Sequence, residues 1–498
     1  MDWLGQNYFL LPEHSQANSQ SLQGHTYLLA PDSPTYVYFS GWRNPWLAHR
    51  SLGYPAFLYP FLYQERQKFV QDYAEAYKKA GDALYAGTIY DLATETGIAT
   101  RFEAIALAQR LLLALGISVF YFSLCRWFPT LFSFAALLAA LWLAPPADPR
   151  YILTEPLSSA LTWVCGACLL FAPMSRRQGL CFALACLCAS LAYLVRPQAL
   201  SLTGLCSLVF LFQLWRRGRK GGPVALARVS LAFSPLLLAC AYIGWMSVTG
   251  GQLFFHTHPS FNKSLFCFFA ETEDAAHMPT SRAKKFTAWY GAHKDELIRK
   301  MKNGEYFQVE LADDTSPVRK RAVIGDVLIY SGPFLQAWWK HLGEKGRGPW
   351  SRLEEHIFGR ELSAGLRPRH LGEMVASSWQ NFLGGLGWYE DVYFLGSWPR
   401  ATFAINATAL AFTALALAVC SWSRWPLVMM AGIHVMALLA ATLGHFVLGR
   451  YVVPTEPLLL LAGICSLRVL AGMLSGLKGS RPLPAWGEGP GERQSSVG

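Results

Sequence analysis

Three observations predict an all-α polytopic membrane protein. Hydrophobic residues make up 53% of the 498-residue chain and charged residues only 15%, against roughly 25% charged in an ordinary soluble domain. Nine apolar stretches recur along it, each close to the about 20 residues that a bilayer-spanning helix needs. Basic residues gather in alternate short connections between those stretches. The mean hydropathy is nevertheless only +0.24, so large polar regions must dilute the spans. The same composition excludes disorder, collagen-like sequence and a disulfide-stapled secreted scaffold.

Residues 1–103 form the first polar region. The run "QERQKFVQDYAEAYKKAGDALYAG" within 60–103 mixes aromatic, aliphatic and charged residues at helical spacing. It suits helices lying along a membrane surface and equally a helical pair packed on an outer domain. Six spans follow in 104–248, near 104–124, 130–146, 157–173, 179–195, 198–215 and 228–248. Two runs, "LFSFAALLAALWLA" here and "ATALAFTALALAVC" further on, hold no charge at all. One such run could be a buried soluble helix; nine in one chain favour spans. Residues 249–400 form a second polar region, read as a helical extracytoplasmic domain or lid with a break at Asn303-Gly304. Three more spans occupy 401–475, near 401–421, 425–446 and 452–474. The tail 476–498 is rich in Pro, Gly and Ser and reads as disordered. No solenoid-type repeat is evident.

The net charge of +11 reads as topology. Arg126, Arg176, Arg177, Arg216, Arg217, Arg219, Lys220, Arg424, Lys478 and Arg481 fall in connections that the positive-inside rule assigns to the cytoplasm. "WRRGRKGG" thus reads as a cytoplasmic loop, and no nucleic-acid partner is expected. Trp127, Trp142, Trp215, Trp245, Trp422 and Trp425 stand at span ends, where interfacial indoles are expected. Most of the eleven cysteines lie in apolar spans; "CGAC" at 165–168 reads as small helix-packing residues. This topology puts 1–103 outside, yet "MDWLGQNYFLLPEHSQ" lacks the basic and apolar regions of a signal peptide. A tenth helix ahead of Met1 is therefore expected, and reading the gene upstream in frame tests it.

The residues able to carry chemistry cluster at the outer ends of spans. Asp32 lies in the turn "PDSP", where it could equally cap a helix. Glu155 stands at the mouth of the third span, as a functional carboxylate or as a first-turn acid facing a positive helix end. Glu456 stands just before the ninth span. Arg196, Arg450 with Tyr451, and Arg110 lie on the outer side, against the positive-inside trend; snorkelling is the plain reading of each arginine, Arg110 above all. Arginine's rigid fork suits phosphate oxygens. His256 and His258 are spaced for metal ligation in an extended segment, or belong to a plain loop or acceptor contact.

The order of "PDSPTYVYFS", "GYPAFLYP", "AQRLLLALG", "RYILTEPLSS", "YLVRPQAL" and "GRYVVPTEPLLLLAG" resembles that of the GT-C glycosyltransferases. The likeness is to the bacterial type that includes lipid A aminoarabinose transferases and protein O-mannosyltransferases. It covers much of 30–210 and 440–465, and 249–400 resembles nothing named. The resemblance implies a sugar donor on a polyprenyl phosphate and a lipid, glycan or protein acceptor outside the cytoplasm. Asp32 would be the general base, in an inverting displacement. Arg196 and Arg450, with Tyr451 and Arg110, would hold the donor phosphate, and Glu155 would be the second acid or position the acceptor. No cofactor is required; a divalent cation, Mg or Mn, is left open. The expected location is the inner (plasma) membrane, multi-pass, with the site on the extracytoplasmic face. The alternatives are an O-antigen ligase or polysaccharide polymerase, which would need essential residues in 249–400, and a transporter or flippase. The last predicts repeats, broken helices or polar mid-span residues, whereas these spans read as mostly bare at their centres.

Overall fold

Leucine, alanine and phenylalanine dominate the apolar stretches, and all nine fall on helices. The structure, a computed structural model, describes residues 26–29, 33, 36–37, 52–62, 65–80, 88–144, 146, 149–196, 199–218, 223–250, 271–278, parts of 281–293, 399–419, 424–443 and 455–474. Among the described residues three helices precede the bundle: α1 (Gly53–Leu62), α2 (Arg66–Ala80) and α3 (Thr88–Glu95). The bundle then runs α4 (Ala99–Leu124), α5 (Thr130–Leu143), α6 (Thr154–Phe171), α7 (Gln178–Val195), α8 (Leu200–Gly218), α9 (Pro223–Phe233) and α10 (Leu236–Gly250). A second group follows as α11 (Pro399–Val419), α12 (Arg424–Leu443) and α13 (Glu456–Leu474). No strand occurs among the described residues, only an isolated parallel bridge between Leu28 and Tyr151. Of the expected outer domain 249–400, the described parts between α10 and α11 are a short 3-10 helix, Thr272–His277, with its flanking residues, and helical residues within 281–293.

Length qualifies the expected nine spans. Among the described residues four helices, α4, α6 with its 3-10 extension, α7 and α13, are long and apolar enough to cross a membrane, and α9 with α10 makes a fifth if taken together. In α5, α8, α11 and α12 the apolar helix is shorter. At 1.5 Å per residue the 14 residues of α5 reach about 21 Å, less than a hydrocarbon core of about 30 Å. The sixth stretch, expected as one continuous span, is bent by 57° between Phe233 and Leu236. Pro235 sits at the break and has no N–H to continue the ladder; its carbonyl instead accepts Ser190 Oγ at 3.0 Å.

α6 is the centre of the bundle, buried along most of its length and packed between α4 and α7. Trp163 stacks edge-on against Phe120 of α4. In the second group α13 lies against α11 and α12. Close approach there depends on Gly463, where a Cβ would come within 2.7 Å of Ala409 Cβ. Large apolar side chains instead cover the flanks: Leu111, Leu115 and Phe122 on α4, and Leu131, Leu138 and Trp142 on α5, are exposed. A flank of this kind suits lipid rather than water.

Two of the expected interfacial indoles are corrected. Trp127 and Trp425 are buried, and their Nε1–H groups donate to the carbonyls of Leu170 at 2.9 Å and Leu169 at 2.8 Å. The last turn of a helix leaves carbonyls without helical partners, and these indoles satisfy two of them. The same bonds fix direction: α12 begins where α6 ends, so α12 ends and α13 begins at the Glu155 end of the bundle. Arg126, whose guanidinium lies 5.9 Å from the Phe171 ring centre, is at the opposite end.

Candidate functional site

The chain reaches α6 through residues 149–153, and this approach is held from three sides. Leu28 N–H donates to Arg150 O at 2.8 Å, and Ile152 N–H donates to Leu28 O at 3.0 Å. Ser33 Oγ donates to Ile152 O at 2.9 Å. Gln109 of α4 is fully buried. Its amide donates to Pro149 O and Tyr151 O, both at 2.9 Å, while its carbonyl accepts the Tyr54 hydroxyl at 2.9 Å. Tyr90 OH accepts Leu29 N–H at 2.9 Å, and Arg110 Nη2 donates to Thr26 O at 2.7 Å. The first loop is thereby stitched to the entry of α6, up to the residue following Asp32.

Tyrosines line this junction. Tyr27 stacks on Tyr90 at 5.8 Å, and Tyr36 meets Tyr54 edge-on at 5.1 Å. Burial pushes the Tyr27 and Tyr90 hydroxyls up to about 12. Burial also raises the Tyr54 hydroxyl well above its usual value, and the nearby Tyr36 and Glu155 add to the rise. These phenols stay neutral and act as hydrogen-bonding groups.

Glu155 occupies the first turn of α6, beside Pro156, which is tolerated there because first-turn N–H groups have no helical partner. Arg196 follows the last residue of α7. The two form an ion pair, Nη1 to Oε1 at 2.9 Å, with side chains 5% and 13% exposed for Arg196 and Glu155. Thr154 Oγ1 donates to Glu155 Oε2 at 3.0 Å. Gly53 opens α1 against this place: a Cβ on it would fall 2.6 Å from the carbonyl carbon of Leu194 and from Val195 N. A glycine is what lets α1 rest on the turn that presents Arg196. Chemically, the pair stores a desolvated guanidinium whose carboxylate partner can be displaced by another oxyanion.

A second polar group lies at the same end. Glu456 opens α13, 2% exposed, and its Oε1 accepts Asn406 Nδ2 of α11 at 2.6 Å. Thr455, just before it, lies 3.1 Å through Oγ1 from Nδ1 of the fully buried His434 of α12. Deeper in, Ser466 Oγ donates to Thr413 Oγ1 at 3.5 Å. The expectation of spans mostly bare at their centres is therefore corrected in the second group: His434, Thr413 and Ser466 are polar and buried near the middle of their helices.

Of the residues singled out from the sequence, Glu155 and Arg196 are brought together, Glu456 is held by Asn406, and one nitrogen of Arg110 serves the Thr26 carbonyl. Asp32, Arg450, Tyr451, His256 and His258 lie outside the described residues. No group of three or more His, Cys, Asp or Glu arranged for a metal ion occurs among the described residues. In "CGAC", Cys165 is buried with its Sγ 4.0 Å from Cys206 Sγ, and both are free thiols. Sequence reasoning missed Gln109, Asn406 and His434. It also missed a readable signal: "RYILTEPL" at 150–157 returns as "RYVVPTEPL" at 450–458, with Pro454 inserted. No family model, no curated protein and no solved structure matches the chain.

Proposed function

We propose that the chain is a multi-pass membrane glycosyltransferase of the inner (plasma) membrane, working at its extracytoplasmic face. It moves a sugar from a polyprenyl-phosphate donor to a lipid, glycan or protein acceptor. The observation that carries this reading is the Arg196–Glu155 pair, at the start of a helix whose approach, Arg150 and Ile152, is hydrogen-bonded to Leu28 and Ser33, the latter next to Asp32 in the sequence. In the reaction the bond from the anomeric carbon to the phosphate oxygen breaks, and that oxygen keeps the electron pair. The acceptor oxygen bonds to the opposite face of the carbon, and its proton passes to the Asp32 carboxylate. The phosphate charge grows in the transition state, and a desolvated guanidinium stabilises it better than a solvated one. Arg196 has this role, joined by Arg450 with Tyr451, while Glu155 keeps Arg196 in place until the phosphate arrives.

Asp32→Asn tests the reading. Loss of a general base costs about 10²–10⁴-fold in rate, read as disappearance of the glycosylated product by mass spectrometry of envelope lipids and glycans. Full activity in a variant present in the membrane at the normal level overturns the assignment. The bent α9–α10 pair favours a second reading, a transporter or flippase for the same lipid phosphate, because transporters place broken helices at their sites. Purified protein in vesicles separates the two: a transferase forms a new glycosidic bond, a flippase moves unaltered lipid.

A further inference from the structure

Within the second group, α11, α12 and the start of α13 enclose polar side chains that the proposed transfer does not use. His434 is the centre of this group. Its ring is fully buried, Nδ1 lies 3.1 Å from Thr455 Oγ1, and Nε2 meets no hydrogen-bonding partner among the described residues. Thr455 caps α13, its carbonyl accepting Leu458 N–H at 3.1 Å. The next residue is the buried Glu456, held by Asn406. Thr413 and Ser466 continue the polar line toward the bundle interior. An ionisable side chain inside an apolar bundle carries a free-energy cost and marks a functional place by default. A buried nitrogen left open adds a further penalty.

We propose that His434 and Glu456 form a proton-binding site within the bundle, the ligand being a proton. With Nδ1–H donated to Thr455, Nε2 presents its lone pair. Taking up a proton there makes one N–H bond and an imidazolium, whose charge the Glu456 carboxylate balances. A proton fits these atoms better than a metal cation such as sodium, because hard cations take oxygen ligands and the open atom is a nitrogen. The charged residues on the helices packed around His434 are few. Arg424 opens α12 itself, Arg400 stands in the first turn of α11 and Glu155 in that of α6; Arg216 and Arg217 stand at the far end of α8. Arg468 of α13 is taken up over the Phe132 ring at 4.7 Å. Cysteine thiols are the remaining titratable groups on these helices. The placement within a bilayer rests on taking the apolar helices as spans; nothing here depends on sugar transfer.

The test uses the full chain in lipid vesicles and dicyclohexylcarbodiimide, which attacks protonated carboxyl groups in apolar surroundings. Modification of Glu456 is read by peptide mass spectrometry across a pH series, with Glu456→Gln identifying the signal. Labelling is expected to rise as pH falls. Removing the imidazolium by His434→Gln takes away a charge that keeps Glu456 ionised, so labelling at acid pH accelerates about threefold or more, the equivalent of half a pKa unit. Thr455→Val, which frees the ring, shifts the same profile and serves where the first variant does not accumulate. No labelling of Glu456 at any pH, a profile unchanged by both variants, or protection by sodium instead of by alkaline pH each overturns the proposal. Because no sugar donor takes part, the outcome is independent of whether Asp32→Asn abolishes transfer.

Discussion

Two helices of this bundle begin on nearly the same residues, and their surroundings make them different. Both α6 and α13 follow an Arg-Tyr pair, open on Thr-Glu-Pro-Leu and start at the same end. In both, proline fits the first turn and the glutamate sits near the positive helix end. At α6 the neighbouring helix supplies an arginine, and Glu155 becomes half of a buried ion pair. At α13 the neighbours supply an amide to Glu456 and an imidazole to Thr455. The short motif thus fixes where a carboxylate stands. The helix packed beside it decides whether that carboxylate holds a guanidinium or sits in a hydrogen-bonded network.

The contrast can be broken or sharpened by substitution. The largest effect is expected from Arg196→Ala, which leaves Glu155 buried without its guanidinium and costs about 3–5 kcal/mol in unfolding of the detergent-solubilised protein. The double change Arg196→Met with Glu155→Leu should recover most of that stability while transfer stays lost; recovery of both would make the pair purely structural. Gln109→Leu comes next. It removes the amide partner of the Tyr54 hydroxyl and of Pro149 O, while Tyr151 O keeps Leu153 N–H at 2.9 Å; the cost is about 1–3 kcal/mol for each group left unsatisfied, offset where water enters.

Asn406→Ala should cost less than Arg196→Ala, about 1.5–3 kcal/mol for a hydrogen bond to a charged group. Equal losses at the two helix starts would erase the distinction between them. The smallest effect belongs to an exposed pair. Arg101 donates to Glu65 at 2.9 Å and 3.0 Å, and this holds the Glu65 carboxyl below its usual value of 4.5. A depressed carboxylate stabilises the fold above its unfolded value, and the contribution fades as pH falls through the lower folded value. Glu65→Gln should therefore cost at most about 1 kcal/mol near neutrality and nothing in strong acid, seen as melting curves that converge on acidification.

Much of the helical framework is legible in the sequence, because apolar periodicity reports which segments leave water. Glu155 and Arg196 are legible as polar residues at span ends. Their contact is not, since it depends on how α6 and α7 pair. The bend at Pro235 was readable in the residue itself, but hydropathy averaged over a window runs straight across it. Gln109 and His434 are hidden for another reason: a single polar residue barely alters an apolar run, and only its partners reveal it. Trp127 and Trp425 mislead because an indole at a span end serves equally at a lipid interface or as a cap on a neighbouring helix. The repeated Arg-Tyr…Thr-Glu-Pro-Leu was visible throughout, and its meaning came only with the different neighbours.

The two indole caps on α6 also set an order in time. Trp127 precedes α6 in the chain, so the Leu170 carbonyl can be satisfied as soon as that helix forms. The Leu169 carbonyl waits for Trp425, 256 residues later. At a synthesis rate of about 5–20 residues per second, that wait is on the order of 10–50 s. For that interval the end of the central helix lacks its Trp425 donor, and its last turn is finished only by the arrival of α12.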